Sequence, residues 1–458
     1  MAAKGWMRAE MDILQTISRN IAYPAWNARE GGIRLSELSR LQTAQWDSRE
    51  ALEDYQLTRL NSVVRWAADS VPFYKNRWSS ELTKSPLKSL SALSDFPVIY
   101  KDDLRKYKNE LLSSRFAKSE LVTAKTGGST GVSLELFFDR QCQQLRNAAA
   151  MMSDGWAGWL PGMKVAALWG SPPTPKTAKQ KIRNFLHDRT FYLDTMRLNE
   201  ETLGGFSRSL IKRKPNILFG HAHSLYELAC FIQANDLPVP RLVGIVSTSM
   251  VLLDADRLVI EKVFGVRVTN RYGCEEVGLI ASECEQHDGL HINSNHIIVE
   301  FLDDNDEPVE AGEEGRVVLT DLNNRAMPLV RYDVGDMAVP SNKQCSCGRG
   351  LPIIKNLAGR VSDYFIHSDG SKVSGISMVE KTLTAIEGLG QLQIVQNTTD
   401  TFVLNAVVAD GCESRVKEEL HRAMVDAFSS EVSIELRCVR HLDQTRAGKF
   451  RFAICNVE

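Results

Sequence analysis

The chain has 458 residues and a mass of 51.2 kDa, enough for about three domains of ~150 residues and a large conventional core. Its 43% hydrophobic and 24% charged residues exclude a disordered, fibrous or membrane-spanning chain. With 55 basic against 57 acidic side chains and a net charge of -2, no global field recommends nucleic acid or an anionic membrane, so an anion must be held locally.

The first twenty residues, MAAKGWMRAEMDILQTISRN, mix charge with apolar residues every three or four positions and lack an uninterrupted apolar region before a cleavage site, so they read as an amphipathic helix. Residues 1–80 read as a helical segment, with Leu57, Leu60, Val64 and Ala67 at helical spacing. From about 95, short apolar runs such as KVAALWG, PNILFG, RLVGIVS and VRVTNRYG alternate with longer helical stretches, predicting α/β layers on a largely parallel sheet. Between Ile297 and Val339 the spacing shortens, predicting an antiparallel β unit that closes the large domain. After about 360 a small α+β domain follows: a helix near 375–387, a hairpin in QLQIVQNTTDTFVLNAVV, an amphipathic helix in ESRVKEELHRAMVDAFSS and a strand in VSIELRCV. The most apolar stretch, LVGIVSTSMVLL, is too short for the ~20 residues a spanning helix needs. Nine scattered cysteines in a chain this long read as free thiols of a reducing compartment, placing the protein in the cytoplasm.

Four local motifs carry chemistry. In Lys125-Thr126-Gly127-Gly128-Ser129-Thr130-Gly131, three glycines let the backbone turn several N–H groups inward, and Thr126, Ser129 and Thr130 add hydroxyl donors. That is a nest for phosphate oxygens, although no Gly-Lys-Ser/Thr ends the run and the following SLELFF is strand-like. After the strand VRVTN, Arg271-Tyr272-Gly273-Cys274-Glu275-Glu276 offers a stacking face, a backbone a flat ligand can approach, and carboxylates suited to a hard cation. In Val330-Arg331-Tyr332-Asp333-Val334-Gly335-Asp336, the last aspartate follows a glycine turn and can accept both hydroxyls of a ribose. The fourth is Gly359-Arg360-Val361-Ser362-Asp363. Taken singly, each also fits an ordinary turn or surface ion pair.

In this order, and with Arg446-Ala447-Gly448-Lys449 near the end, the set resembles the adenylate-forming superfamily of acyl-CoA synthetases. Within it the chain is most similar to the phenylacetate-CoA ligase and CapK branch, through VPFYKNRW (71–78), FPVIYKDDLRK (96–106), the GGST loop, ECEQHDGLHINSNH (283–296) and CSCGRGLP (345–352). The resemblance implies a multidomain α/β fold: a large adenylate-forming domain with layered α/β sheets and a β-barrel-like subdomain, then a small mobile α+β domain. Residues 1–80 would be its helical entry, 81–360 its ATP- and acyl-binding core, and 361–458 the small domain carrying the catalytic lysine.

It also implies activation of a carboxylic acid, aromatic acids included, with ATP and Mg²⁺ to an acyl-adenylate, then acyl transfer to coenzyme A. In the rival expectation, CapK-like, the acceptor is an amine or hydroxyl in polysaccharide or natural-product assembly. By similarity, Thr126, Gly127, Gly128, Ser129, Thr130 and Gly131 would hold the β- and γ-phosphates. Tyr272 and Gly273 would pack on adenine and the acyl group, with Cys274 and Glu275 beside the nucleotide, while Glu276 would ligate Mg²⁺. Asp336 would bind the ribose with Arg360 nearby, and Lys449 would stabilise charge growing between the carboxylate and the α-phosphate. His221, Ala222 and Ser249, with Tyr272 and Gly273, would line the acyl pocket. Ser362 and Asp363 would form the hinge.

Two departures stand out. Members often read Tyr-Gly-Ser-Thr-Glu, whereas Cys274 and Glu275 occupy the third and fourth positions here, and the hinge position, commonly Asp or Lys, is Ser362. Cys284, His291, Cys345 and Cys347 form a Cys₃His set suited to a structural Zn²⁺, a metal some members of the branch carry, with His287 the rival fourth ligand. His221 and His223 fit either the acyl pocket or a structural hydrogen bond. The other cysteines, Cys230 and Cys438 among them, are expected as small buried hydrophobes. Relatives often pair through the large domain, so a homodimer is also expected.

Overall fold

Helix Arg49–Ser70 opens on Ser48, whose side chain accepts from the Ala51 amide, and it buries Leu52, Leu60, Val63, Val64 and Ala67 on one face. It stops because Val71, preceding Pro72, is extended (φ -113°, ψ 109°), and Pro72 begins the helix Pro72–Arg77. Phe73 and Tyr74 of that helix enter the largest core cluster together with Phe137, Tyr272 and Tyr332, fastening the N-terminal segment to the rest of the large unit. The computed structural model describes residues 13–29, 31–125, 134–170, 172–173, 175–195, 198–360, 364–369, 372–428, 432–442 and 451–457. Of the expected first helix, residues 1–12 lie outside this set, and the helical turns Ile13–Ile17, Ser18–Ala22 and Tyr23–Arg29 are present.

An eleven-stranded sheet forms the centre. Its parallel half runs, side by side, Thr190–Asp194, Val165–Trp169, Ile217–His221, Gly244–Thr248 and Val268–Cys274. Helices Glu200–Arg213, Ala222–Ala234 and Asp254–Phe264 pack on one face around Leu168, Leu218 and Ile245. Burial on both faces explains why Gly244–Thr248 is buried throughout.

The strands expected as a closing β unit extend this same sheet. Gly278–Glu283 folds back antiparallel on Val268–Cys274, followed in hydrogen-bonded order by Leu290–Ile292, Ile353–Arg360, Tyr332–Ser341, Gly315–Asp321 and Ile297–Leu302. A separate hairpin pairs Val122–Lys125 with Glu135–Phe138, so the glycine-rich loop connects two paired strands, as SLELFF suggested.

The C-terminal stretch forms a four-stranded sheet in the order Ser433–Cys438, Thr401–Val408, Leu389–Thr398, Ala453–Cys455, with helices Gly375–Ala385 and Glu413–Phe428. The second helix buries Val416, Leu420 and Met424 and turns its charges to water. Of the five cysteines expected to be buried, only Cys142 is: Cys230, Cys412 and Cys455 are half-buried, and Cys438 is exposed where it ends a strand at the sheet's edge. All nine cysteines are free. Among the described residues no helix is long and apolar enough to cross a membrane.

Candidate functional site

Three adjacent parallel strands end at one rim, the position where open α/β sheets present ligands. His221 pairs in register with Thr248, and Thr248 with Arg271, so His221 and Ala222, Ser249, and Tyr272 with Gly273 follow one another along that rim. His221 is buried against Trp169, ring centroids 4.5 Å apart, and precedes helix Ala222–Ala234. Ser249 takes a left-handed backbone (φ +67°) as the chain leaves its strand. Arg271 is held beneath by Asp154, at 2.6 Å.

The second and third motifs meet here. The Tyr272 hydroxyl donates to Asp336 at 2.8 Å, and Asp336 stands opposite Arg360 in the strand register. Glu276 is buried, accepts from the Tyr332 hydroxyl at 3.1 Å and lies 4.0 Å from the Lys101 ammonium. Burial, reinforced by the Glu276 charge, pushes the Tyr332 phenol far above its ordinary range, so it remains a donor. Burial likewise raises the Cys274 thiol, keeping it a neutral neighbour of Glu276. The Glu275 side chain is exposed, while its carbonyl accepts from Arg146 at 2.8 Å.

Gly273 has a structural reason of its own. A Cβ there would stand 2.5 Å from the Gly278 carbonyl oxygen, and the register shifts between Tyr272 and Gly273. The bulge turns residues 275–277 and presents Glu276 inward. The phosphate-loop residues Thr126, Gly127, Gly128, Ser129, Thr130 and Gly131, the hinge pair Ser362 and Asp363, and Lys449 lie outside the described residues.

The four residues of the metal expectation lie together. The donor atoms of Cys284, His291, Cys345 and Cys347 all lie within 4.8 Å of one another, with Cys284 Sγ 3.8 Å from Cys345 Sγ and Cys347 Sγ 3.4 Å from His291 Nε2. Zn–S bonds of ~2.3 Å in a tetrahedron separate two sulfurs by about 3.8 Å, so the set fits zinc. The amides of Gln286 and Arg349 donate to Cys284 and Cys347, and the Leu351 carbonyl faces His291 Nδ1 at 3.3 Å. His287 faces Glu283 instead, at 3.1 Å. Around the cluster, Gln45 accepts from both Arg349 and Trp156, and the Trp156 ring meets His291 edge-on at 5.8 Å.

Sequence reasoning missed Lys101, Tyr332 and Trp169 as members of the site. Lys101 sits inside FPVIYKDDLRK and Tyr332 inside VRYDVGD, so both were flagged by motif without a role. Trp169 ends a strand with no motif of its own.

Residues 365–456 match the family described as the CapK C-terminal domain. The chain is 32% identical over 179 residues to the phenylacetate-coenzyme A ligase of Thermus thermophilus, a match covering 36% of this chain and 39% of that protein. It is 24% identical over 356 residues to the Escherichia coli phenylacetate-coenzyme A ligase, covering 72% and 75%. Among solved structures it superposes on 2-hydroxyisobutyryl-CoA ligase in the postadenylation state with a TM-score of 0.71, at 21% identity, covering 88% of this chain and 89% of that one. The thioesterification form of that ligase gives 0.58, at 21% identity and 89% and 90% coverage. The fold is therefore that of the adenylate-forming CoA ligases. More narrowly, the chain is similar in sequence to phenylacetate-CoA ligases, and its residues 365–456 match the CapK C-terminal domain.

Proposed function

We propose that this chain is an AMP-forming ligase that activates a carboxylic acid with ATP and transfers the acyl group to coenzyme A. The observation that carries this reading is the Tyr272–Asp336 hydrogen bond, which joins two nucleotide motifs beside buried Glu276 at the carboxyl rim of the parallel strands. In the first step a carboxylate oxygen attacks the α-phosphorus and the bond to pyrophosphate breaks. In the second, the thiol gives up its proton as sulfur attacks the acyl carbon, and AMP leaves with the electrons of the broken C–O bond.

Residues Thr126 to Gly131 cradle the departing phosphates, Asp336 accepts the ribose hydroxyls with Arg360 beside it, and Tyr272 and Gly273 form the wall shared by adenine and acyl group. Lys449 stabilises charge that grows in the first step, a contact worth a few kcal/mol. Glu276 would hold magnesium, which when bound neutralises phosphate charge, and the Tyr332 hydroxyl keeps that carboxylate oriented. Cys284, His291, Cys345 and Cys347 would hold a structural zinc. The large unit, residues 1–360, and the small one, 361–458, hinge at Ser362 and Asp363. Nine cysteines, none of them in a disulfide, support a reducing, cytoplasmic setting.

The CapK-type C-terminal domain favours a second reading of the acceptor, an amine or hydroxyl in place of the thiol. Pyrophosphate release measured over an acid panel, with and without coenzyme A, tests both. Acid-dependent release that never yields a thioester removes coenzyme A from the reading, and no acid-dependent release removes adenylation.

A further inference from the structure

The acid-binding rim continues into the C-terminal unit through explicit contacts. Helix Ala222–Ala234 starts beside His221, and within its first two turns His223 and Glu227 face each other at 3.2 Å. The Gln391 side-chain amide, on strand Leu389–Thr398 of the C-terminal sheet, donates to the same Glu227 oxygen. The Phe452 ring meets the His223 ring edge-on, centroids 5.4 Å apart. Phe452 is itself fixed to that strand, since its carbonyl accepts from the Ile394 amide at 2.8 Å and the Arg451 carbonyl accepts from Gln393 at 2.6 Å. A second contact leaves the rim just after Ser249, where Leu253 is buried in the C-terminal core.

We propose that His223 and Glu227 are positioning residues: they seat the C-terminal sheet on the rim through Phe452 and Gln391. The seat thereby fixes Phe452 and strand Leu389–Thr398 against the helix that leaves the rim. The inference rests on the ligase reading above. The proposal assigns the seat to the first step, adenylation, and gives it no part in transfer.

ATP–pyrophosphate exchange reads adenylation alone, and transfer from a supplied acyl-adenylate reads the second step alone. Glu227→Ala and Gln391→Ala are each expected to slow exchange about tenfold, the loss of one hydrogen bond to a charged group. The double variant falls no further, because both remove one shared contact. Glu227→Gln keeps an acceptor oxygen and retains most of the exchange, and transfer is unchanged in all. Additive losses, or equal losses in both steps, overturn the proposal. Hydrogen exchange at residues 222–228 supplies an arm independent of activity: Gln391→Ala is expected to speed it about tenfold, and unchanged protection overturns the seat. If no acid supports pyrophosphate exchange, the ligase reading fails while this arm still decides the contact.

Discussion

Tyr272 and Asp336, 64 residues apart in the chain, are joined by a single hydrogen bond of 2.8 Å that links two separate strands beside buried Glu276. Each side chain limits where the other can turn, so the carboxylate that would receive the ribose is held before any ligand arrives.

Asp336→Ala is expected to raise the KM for ATP by about 10- to 100-fold, the loss of hydrogen bonds to a charged group. Tyr272→Phe leaves the carboxylate in place without its anchor and raises it a few-fold. Steady-state kinetics at saturating acid checks both, and an unchanged KM in the alanine variant would remove Asp336 from the ribose.

Gly273→Ala places a methyl against the Gly278 carbonyl oxygen. The bulge must shift and carry Glu276 with it, so adenylation falls at least tenfold and the melting temperature drops by several degrees, the cost of overpacking being about 1–3 kcal/mol. Thermal melts alongside pyrophosphate exchange read the two effects together.

Lys449→Ala is expected to slow adenylation by about 100- to 1000-fold while the melting temperature stays within a degree or two. Glu276→Gln lowers adenylation too, but raises the magnesium concentration needed for half-maximal rate. A lysine variant with full exchange would overturn the assigned mechanism.

Purified protein is expected to contain one zinc per chain by elemental analysis, and chelation should lower its melting temperature. Cys347→Ser should abolish the metal content, whereas His287→Ala should retain it because His287 faces Glu283. Metal-free protein that melts unchanged on chelation would leave the cluster as plain thiols.

Glu37 ties helix Arg34–Ala44 to the sheet, accepting from Arg40 at 2.7 Å and facing His296 at 2.7 Å. Burial tends to raise its carboxyl, but the hydrogen bonds from Arg40 and His296 outweigh burial and hold it at about 2 against an ordinary 4.5. A folded-state value below the unfolded one means the stabilisation is complete above about pH 4.5 and is lost as the pH falls toward 2. Melting curves across that window should show a decline that Glu37→Gln flattens.

The elements of the C-terminal unit were legible because each is local: the apolar spacing of Val416, Leu420 and Met424 needs no distant partner to be recognised as one helix face. The sheet was less so. Continuity between its parallel and antiparallel halves depends on the bulge at Tyr272 and Gly273, which no hydrophobic pattern announces. The sequence put His291 in the metal set with His287 as its rival, and only the fold separates them, pairing His291 with Ile353 near the CSCGRGLP turn and turning His287 to Glu283. Lys101 reaches Glu276 across 175 positions, a contact that spacing rules cannot supply.

Helix Arg140–Trp156 touches both centres of this molecule. Near its middle Arg146 holds the Glu275 carbonyl, and at its end Trp156 meets His291 and Gln45. Were zinc at the one site and nucleotide at the other coupled through this helix, the coupling would be reciprocal. Any gain in nucleotide affinity brought by the metal would then equal the gain in metal affinity brought by the nucleotide. Equilibrium metal titrations with and without ATP would read that single quantity from either side.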